Sequence, residues 1–130
     1  LITADQLFAH VVGDYILQSD WMATEKTKRN VAAAAHALSY AVPFVIAFRP
    51  SWTALAVIIS THFVIDRWRL ARFVIYAKNF IAPRSRWASW SDCAGTGYHK
   101  DVPPWMSVWL LIIVDNAMHV YINGLALAFL

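Results

Sequence analysis

Residues 105–130 read WMSVWLLIIVDNAMHVYINGLALAFL, and this stretch decides the fold class. A bilayer core of roughly 30 Å needs about 20 helical residues. Trp105 to Leu130 exceeds that length with Asp115 as its one charged side chain at neutral pH. Pro103 and Pro104 at its entrance suit a helix start. The stretch is therefore the strongest spanning candidate in the chain. Within it, however, Asp115, Asn116, His119 and Asn123 break the apolar run.

Working outward, three more helices of the same kind precede it. The first runs from about Ala4 to Met22, with His10, Asp14 and Gln18 on one helical stripe. Alone it would read as an amphipathic surface helix; in this chain the stripe is expected to turn into a bundle. A short charged connection holds Lys26, Lys28 and Arg29. The second helix runs from about Val31 to Phe48. It opens on Ala32 to Ala35, whose small side chains let helices approach closely in lipid. Pro43 should kink it without ending it. Arg49-Pro50-Ser51 makes a tight turn, with Ser51 an N-cap for the third helix. That helix starts near Trp52, passes Asp66, and continues to about residue 79 as an amphipathic cytoplasmic segment with Arg67, Arg69, Arg72 and Lys78. Residues 81–104 then form one long polar loop, a length that marks either function or mobility.

Composition agrees with lipid as the main solvent. Hydrophobic residues make up 59 % of the chain and charged ones 15 %, against roughly 45–50 % and about 25 % in soluble domains. At 130 residues a single domain, 1–130, is expected. A soluble protein of that size could not hide so much apolar surface. Cys93 is the sole cysteine, so no internal disulfide forms and no role is assigned to it. Leu1-Ile2-Thr3 shows no basic n-region or cleavage site, so no removable signal peptide is expected. Nothing in the charge pattern points to nucleic acid.

The basic residues test this layout independently. Four spans leave both termini on one face and the two basic connections on the other. Of the eleven Lys and Arg, all but Arg49 then fall on the connection side. That ten-to-one split is what the positive-inside rule expects of a cytoplasmic face. Trp21, Trp68, Trp87, Trp90 and Trp105 gather near the same level, as an interfacial aromatic belt does. The fold expected is all-α: a multi-pass bundle of about four helices in a bacterial inner membrane, with both termini outside and the basic loops cytoplasmic.

The chemistry lies in a repeated spacing. His10 and Asp14, His62 and Asp66, and Asp115 and His119 each stand four residues apart, one turn along the same helical face. The second helix adds His36, with Tyr40 a turn later. An ionised Asp in mid-membrane costs roughly 2.5–3.5 kcal/mol. Three would cost about 7–10 kcal/mol, comparable with the whole stability of a typical domain at roughly 5–15 kcal/mol. Protonation, pairing or a cation must relieve that cost. Asp14, His36, His62 and Asp115 all fall roughly 8–16 Å from the cytoplasmic ends, so they can meet.

Three explanations fit this pattern. The first is a divalent metal site, of zinc, manganese or iron, with room for two ions bridged by a carboxylate. The second is a His–Asp hydrogen-bond network that only holds the helices together. The third is a proton or ion path. The metal reading makes His10, Asp14, His62, Asp66, Asp115 and His119 ligands, and His36 a ligand or general base. It leads to a metal-dependent hydrolase of a lipid-like or phosphoester substrate at the cytoplasmic leaflet. Gln18, Lys26 and Arg69 are candidates for holding that substrate. Asn116 and Asn123 are candidate hydrogen-bonding groups between helices.

The motif His10-x-x-Gly13-Asp14-Tyr-x-Leu-Gln18-Ser-Asp-Trp-Met-Ala, followed by Lys26, His36-x-x-x-Tyr40 and His62-x-x-Ile65-Asp66, resembles a bacterial and phage membrane family known as a domain of unknown function (number 3307). Asp115-Asn-x-x-His119 fits the same resemblance, with Asn116 where Gln is expected. The resemblance implies a multi-pass membrane protein, often phage-encoded, and brings no activity with it. A looser likeness, in kind more than in motif, is to membrane-bound metal-dependent hydrolases. A phage-type origin also suits a protein that is not an enzyme, one that contacts membrane lipids and binds partners or forms a homo-oligomer.

Overall fold

The computed structural model describes residues 2–130. Seven α-helices, one π turn and two 3-10 turns make up the ordered elements, with no strand among the described residues. The described residues divide into two compact units, 2–68 with 119–130, and 69–118.

In the first unit, Thr3 caps α1 (Ala4–Val11) by accepting from the Gln6 amide. The expected first helix does not run on to Met22. It widens into a π turn, Val12–Ile16, closed by the Leu17 amide on the Val12 carbonyl at 3.0 Å. After a break at 17–19, Ser19 caps a separate short helix, α2 (Asp20–Glu25). The π turn lies at a close contact between helices. A Cβ on Gly13 would meet the Tyr40 carbonyl oxygen at 2.7 Å, so the two backbones nearly touch there. Helix α3 (Asn30–Phe48) runs on through Pro43 and ends at Arg49, which takes the left-handed conformation. Ser51 caps α4 (Trp52–Trp68), accepting from the Ala54 amide and donating to the Leu130 carbonyl. Arg67 donates to the Asn30 side chain and the Thr27 carbonyl, tying the end of α4 to the start of α3. Ala9, Tyr40, Phe44, Ala54, Ile58 and Ala126 form the apolar part of the interior.

The expected continuous third helix also breaks. Arg69 adopts φ 52° and the helix restarts as α5 (Ala71–Lys78). Here the second unit begins, and its loop is tied down rather than loose. Two 3-10 turns, Asn79–Ile81 and Arg84–Arg86, lead to α6 (Trp90–Cys93) and then α7 (Pro104–Phe129). Arg72 donates to the Ala94 carbonyl, Tyr76 to that of Ala88, and Asn79 to that of Gly97. Gly97 sits at φ 88° with the Arg72 carbonyl where a side chain would be, so no other residue fits there easily. Cys93 is buried, and that burial pushes its thiol pKa up. Lys100 pairs with Asp92 at 2.8 Å and holds the Asp92 carboxyl below its ordinary value.

Helices α3 and α7 are long and apolar enough to cross a membrane. At about 1.5 Å per residue they measure roughly 28 and 39 Å. Beside its apolar interior, the first unit buries many polar groups and exposes large apolar ones. Gln6, His10, Asp14, His36, His62, Asp66, His119 and Asn123 are buried, while Phe8, Ile16, Ile46, Trp52 and Phe129 are more than half exposed.

Candidate metal centre

Four buried side chains of the first unit converge. The π turn presents Asp14, α3 presents His36, and α4 presents His62 and Asp66 one turn apart. His36 Nε2 lies 3.1 Å from Asp14 Oδ1 and 3.2 Å from Asp66 Oδ2. His62 Nε2 lies 3.3 Å from Asp66 Oδ2 and 3.9 Å from Asp14 Oδ1. All four donor atoms fall within 4.8 Å of one another. Zinc bonds to imidazole and carboxylate at about 2.0–2.1 Å, which places neighbouring tetrahedral donors about 3.3 Å apart. Three of these four spacings lie within about 0.3 Å of that value. Three donor pairs thus stand near the separation of neighbouring ligands on one first-row divalent ion, and the fourth, His62 with Asp14, is wider.

His62 is held in this position. Its buried Nε2 faces Asp66 Oδ2 at 3.3 Å and Asp14 Oδ1 at 3.9 Å. The ring is not free to turn away, because Tyr40 stacks on it with centroids 3.7 Å apart and planes at 14°.

Around this core stand further polar groups. Lys26, just after α2, puts Nζ 2.7 Å from Asp66 Oδ2, 3.2 Å from His36 Nε2 and 3.9 Å from Asp14 Oδ1. Its ammonium partly offsets the two carboxylates. His10 Nδ1 is 2.8 Å from the Tyr40 hydroxyl, to which Asn123 donates at 2.5 Å. His10 Nε2 faces Asp14 Oδ2 at 3.9 Å, and His119 Nε2 faces Asp66 Oδ1 at 3.7 Å. Gln6 donates to the Val120 carbonyl and so fixes α1 against the last turns of α7.

Six of the expected residues, His10, Asp14, His36, His62, Asp66 and His119, therefore lie in one cluster, and Lys26 joins them. His36 sits inside the donor set, a position suited to a ligand more than to a base held apart from the metal. Asp115 belongs to the second unit, half-buried and one turn before His119 along α7. Gln18 follows the π turn, with its Oε1 buried and lacking a hydrogen-bond partner among the described residues. Arg69 is exposed at the start of the second unit. Asn123 has the inter-helix role expected of it. Two residues have roles that the sequence did not suggest: Gly13 as a packing point, and Tyr40 as the group linking His10, His62 and Asn123. The only available signal was their place inside the two motifs.

Residues 2–90 match the family described as a protein of unknown function (DUF3307), and the chain belongs to that family. The matched stretch contains Asp14, Lys26, His36, His62 and Asp66, and ends short of Asp115 and His119. No curated protein and no solved structure matches the chain.

Proposed function

We propose that this chain is a membrane-embedded metal-binding protein whose site hydrolyses an anionic, lipid-like phosphoester at the cytoplasmic leaflet. The observation that carries the metal is the spacing of Asp14, His36, His62 and Asp66 at the edge length of a metal tetrahedron. Two imidazoles and two carboxylates suit zinc, and also manganese or iron. The exposed large apolar side chains of the first unit, around a buried polar cluster, support lipid as its surroundings. The ten-to-one charge split supports four membrane-embedded helices, with the basic connections cytoplasmic.

A divalent metal in such a site supplies a Lewis acid and an activated water at neutral pH. The protein's own residues do the rest. Asp14, His36, His62 and Asp66 would hold the ion, and Tyr40 stacks on the His62 ring and fixes its plane. Lys26, with 18 % of its side chain exposed, can swing from Asp66 to a phosphate oxygen. Gln18 offers a further polar contact. An apolar groove of about 440 Å³ runs between α1, the π turn and α3, past Leu17, Val12, Phe8, Val42 and Ile46. Its lining suits an acyl chain.

The test is release of phosphate from a short-chain phosphatidic acid by detergent-purified protein, with zinc or manganese added or chelated. Metal-dependent turnover, abolished in His62→Ala and with a raised KM in Lys26→Ala, is the expected result. Turnover indifferent to chelator and to His62→Ala would overturn it. One observation favours a second reading. The 2.7 Å contact of Lys26 with Asp66 completes a charge-paired network that could serve only to hold the helices together, in a non-enzymatic protein or oligomer. In that case metal and chelator would change nothing but stability.

A further inference from the structure

Three of the four donor atoms have a cation beside them that the chain itself supplies. Lys26 Nζ lies 2.7 Å from Asp66 Oδ2, 3.2 Å from His36 Nε2 and 3.9 Å from Asp14 Oδ1. The same three atoms stand 3.1 and 3.2 Å apart in the donor set. An ion bonded to Asp66 Oδ2 at about 2.1 Å would lie within about 5 Å of Nζ wherever it sat around that oxygen. His36 makes the overlap sharper. Its Nε2 carries one lone pair at most. The contact with Lys26 is a hydrogen bond only with Nε2 as acceptor, because an ammonium only donates. That lone pair is the one a metal would take.

Charge gives the same answer. Asp14 and Asp66 bring two negative charges to a buried site, and one ammonium offsets half of them. One divalent ion offsets both. Ion and ammonium together leave an excess positive charge, which burial disfavours. The side chain can also leave while the backbone stays. The Lys26 amide bonds to the Met22 carbonyl at 2.9 Å, and Arg67 holds the next carbonyl, of Thr27, at 2.7 Å. The Lys26 side chain is partly exposed where that of His36 is fully buried, so its flexible stem has a way out that the donors lack.

We propose that Lys26 is an internal stand-in for the metal: its ammonium joins the donors in the metal-free protein and is expelled when the ion binds. This rests on the metal reading of the site and adds a regulatory step to it. Without metal, the ammonium keeps Asp14 and Asp66 turned to one point against their mutual repulsion. Zinc must compete with it, and a site open in about one molecule in ten binds about tenfold more weakly than one always open. Once expelled, the same ammonium is free to meet an anionic substrate. Metal loading therefore comes before substrate binding.

The experiment uses zinc alone as the probe, on the detergent-purified full chain. Lys26 is acetylated with an amine-reactive ester, with and without zinc, and the extent is read by peptide mass spectrometry against the exposed Lys28. Zinc affinity is measured by competition with a chromophoric chelator for the wild type and for Lys26→Met, which has an unbranched side chain without the charge. Saturating zinc should raise the labelling of Lys26 severalfold and leave that of Lys28 unchanged. Lys26→Met should bind zinc about tenfold more tightly, or better. If that variant does not fold, labelling of the wild type decides. Zinc that binds while Lys26 stays as protected as before would overturn the stand-in and leave the metal site intact. No zinc bound by either protein would overturn the metal site and the stand-in with it.

Discussion

Replacing Gly13 with alanine should damage the site without touching a ligand. The added Cβ would lie 2.7 Å from the Tyr40 carbonyl oxygen, 2.8 Å from Tyr40 Cδ2 and 3.1 Å from Tyr40 Cα. Two of these atoms are backbone, and Tyr40 is fully buried, so no flexible side-chain end can yield. Ordinary contact begins near 3.4 Å, so the π turn and α3 must separate by more than half an ångström. Asp14 is the next residue, and His36 lies one turn before Tyr40 on α3. Their 3.1 Å spacing therefore opens with the helices. Metal–ligand distances are held to within about 0.2 Å, well below that displacement. Overpacking of this kind costs typically about 1–3 kcal/mol, and every 1.4 kcal/mol or so is a tenfold change in binding. Two measurements report the damage: thermal unfolding by circular dichroism in detergent, and zinc affinity by competition with a chromophoric chelator. Gly13→Ala should melt earlier and bind zinc about tenfold or more weakly. A variant that melts and binds like the wild type would refute the claim that this contact sets the position of Asp14.

Tyr40→Phe keeps the ring stacked on His62 but removes the hydroxyl that meets His10 and Asn123. Leaving buried polar groups without it should lower stability by about 1–3 kcal/mol, read as an earlier melting midpoint. Cys93, buried and with its thiol pKa raised by that burial, should react slowly with a maleimide at neutral pH and fully once the chain is denatured. Mass spectrometry counts the adducts. Asp92 has its pKa lowered by the Lys100 hydrogen bond and by Ser89. Its contribution to the loop is thus complete above the ordinary value of 3.8 and lost as pH falls through the lower folded value. Amide exchange at Lys100, which bonds to the Asp92 carbonyl, should therefore quicken in acid relative to the Asp92→Asn variant.

Much of the site was legible because helical periodicity is a local property. The four-residue spacings of His10–Asp14 and His62–Asp66 survive in the structure as two faces turned to one point. Helices α3 and α7 were legible because each is one long apolar run, α3 with a clear stop at Arg49 and α7 with a clear start at Pro104. The π turn was not legible. It coincides with the close approach of Gly13 to Tyr40, a contact between residues far apart in sequence. The break at Arg69 has the same character. Neither Gly nor Pro marks it, and an Arg in the left-handed region is imposed by tertiary structure rather than by local preference. Lys26 read as part of a short charged connection and as a candidate contact to substrate. The break at 17–19 and the separate helix α2 instead return it to the carboxylates. The loop at 81–104 looked structureless because its ties are side chains bonded to backbone carbonyls, which leave no periodic trace.

The most direct test of the metal centre is the metal content of the detergent-purified protein, measured by mass spectrometry beside an Asp66→Ala variant. Asp66 touches His36, His62 and Lys26 and faces His119, so its loss should strip the site. One or two equivalents of zinc, manganese or iron in the wild type, absent from the variant, is the result expected. A wild-type protein that carries no metal when purified without chelators, and takes up none on titration, would contradict it.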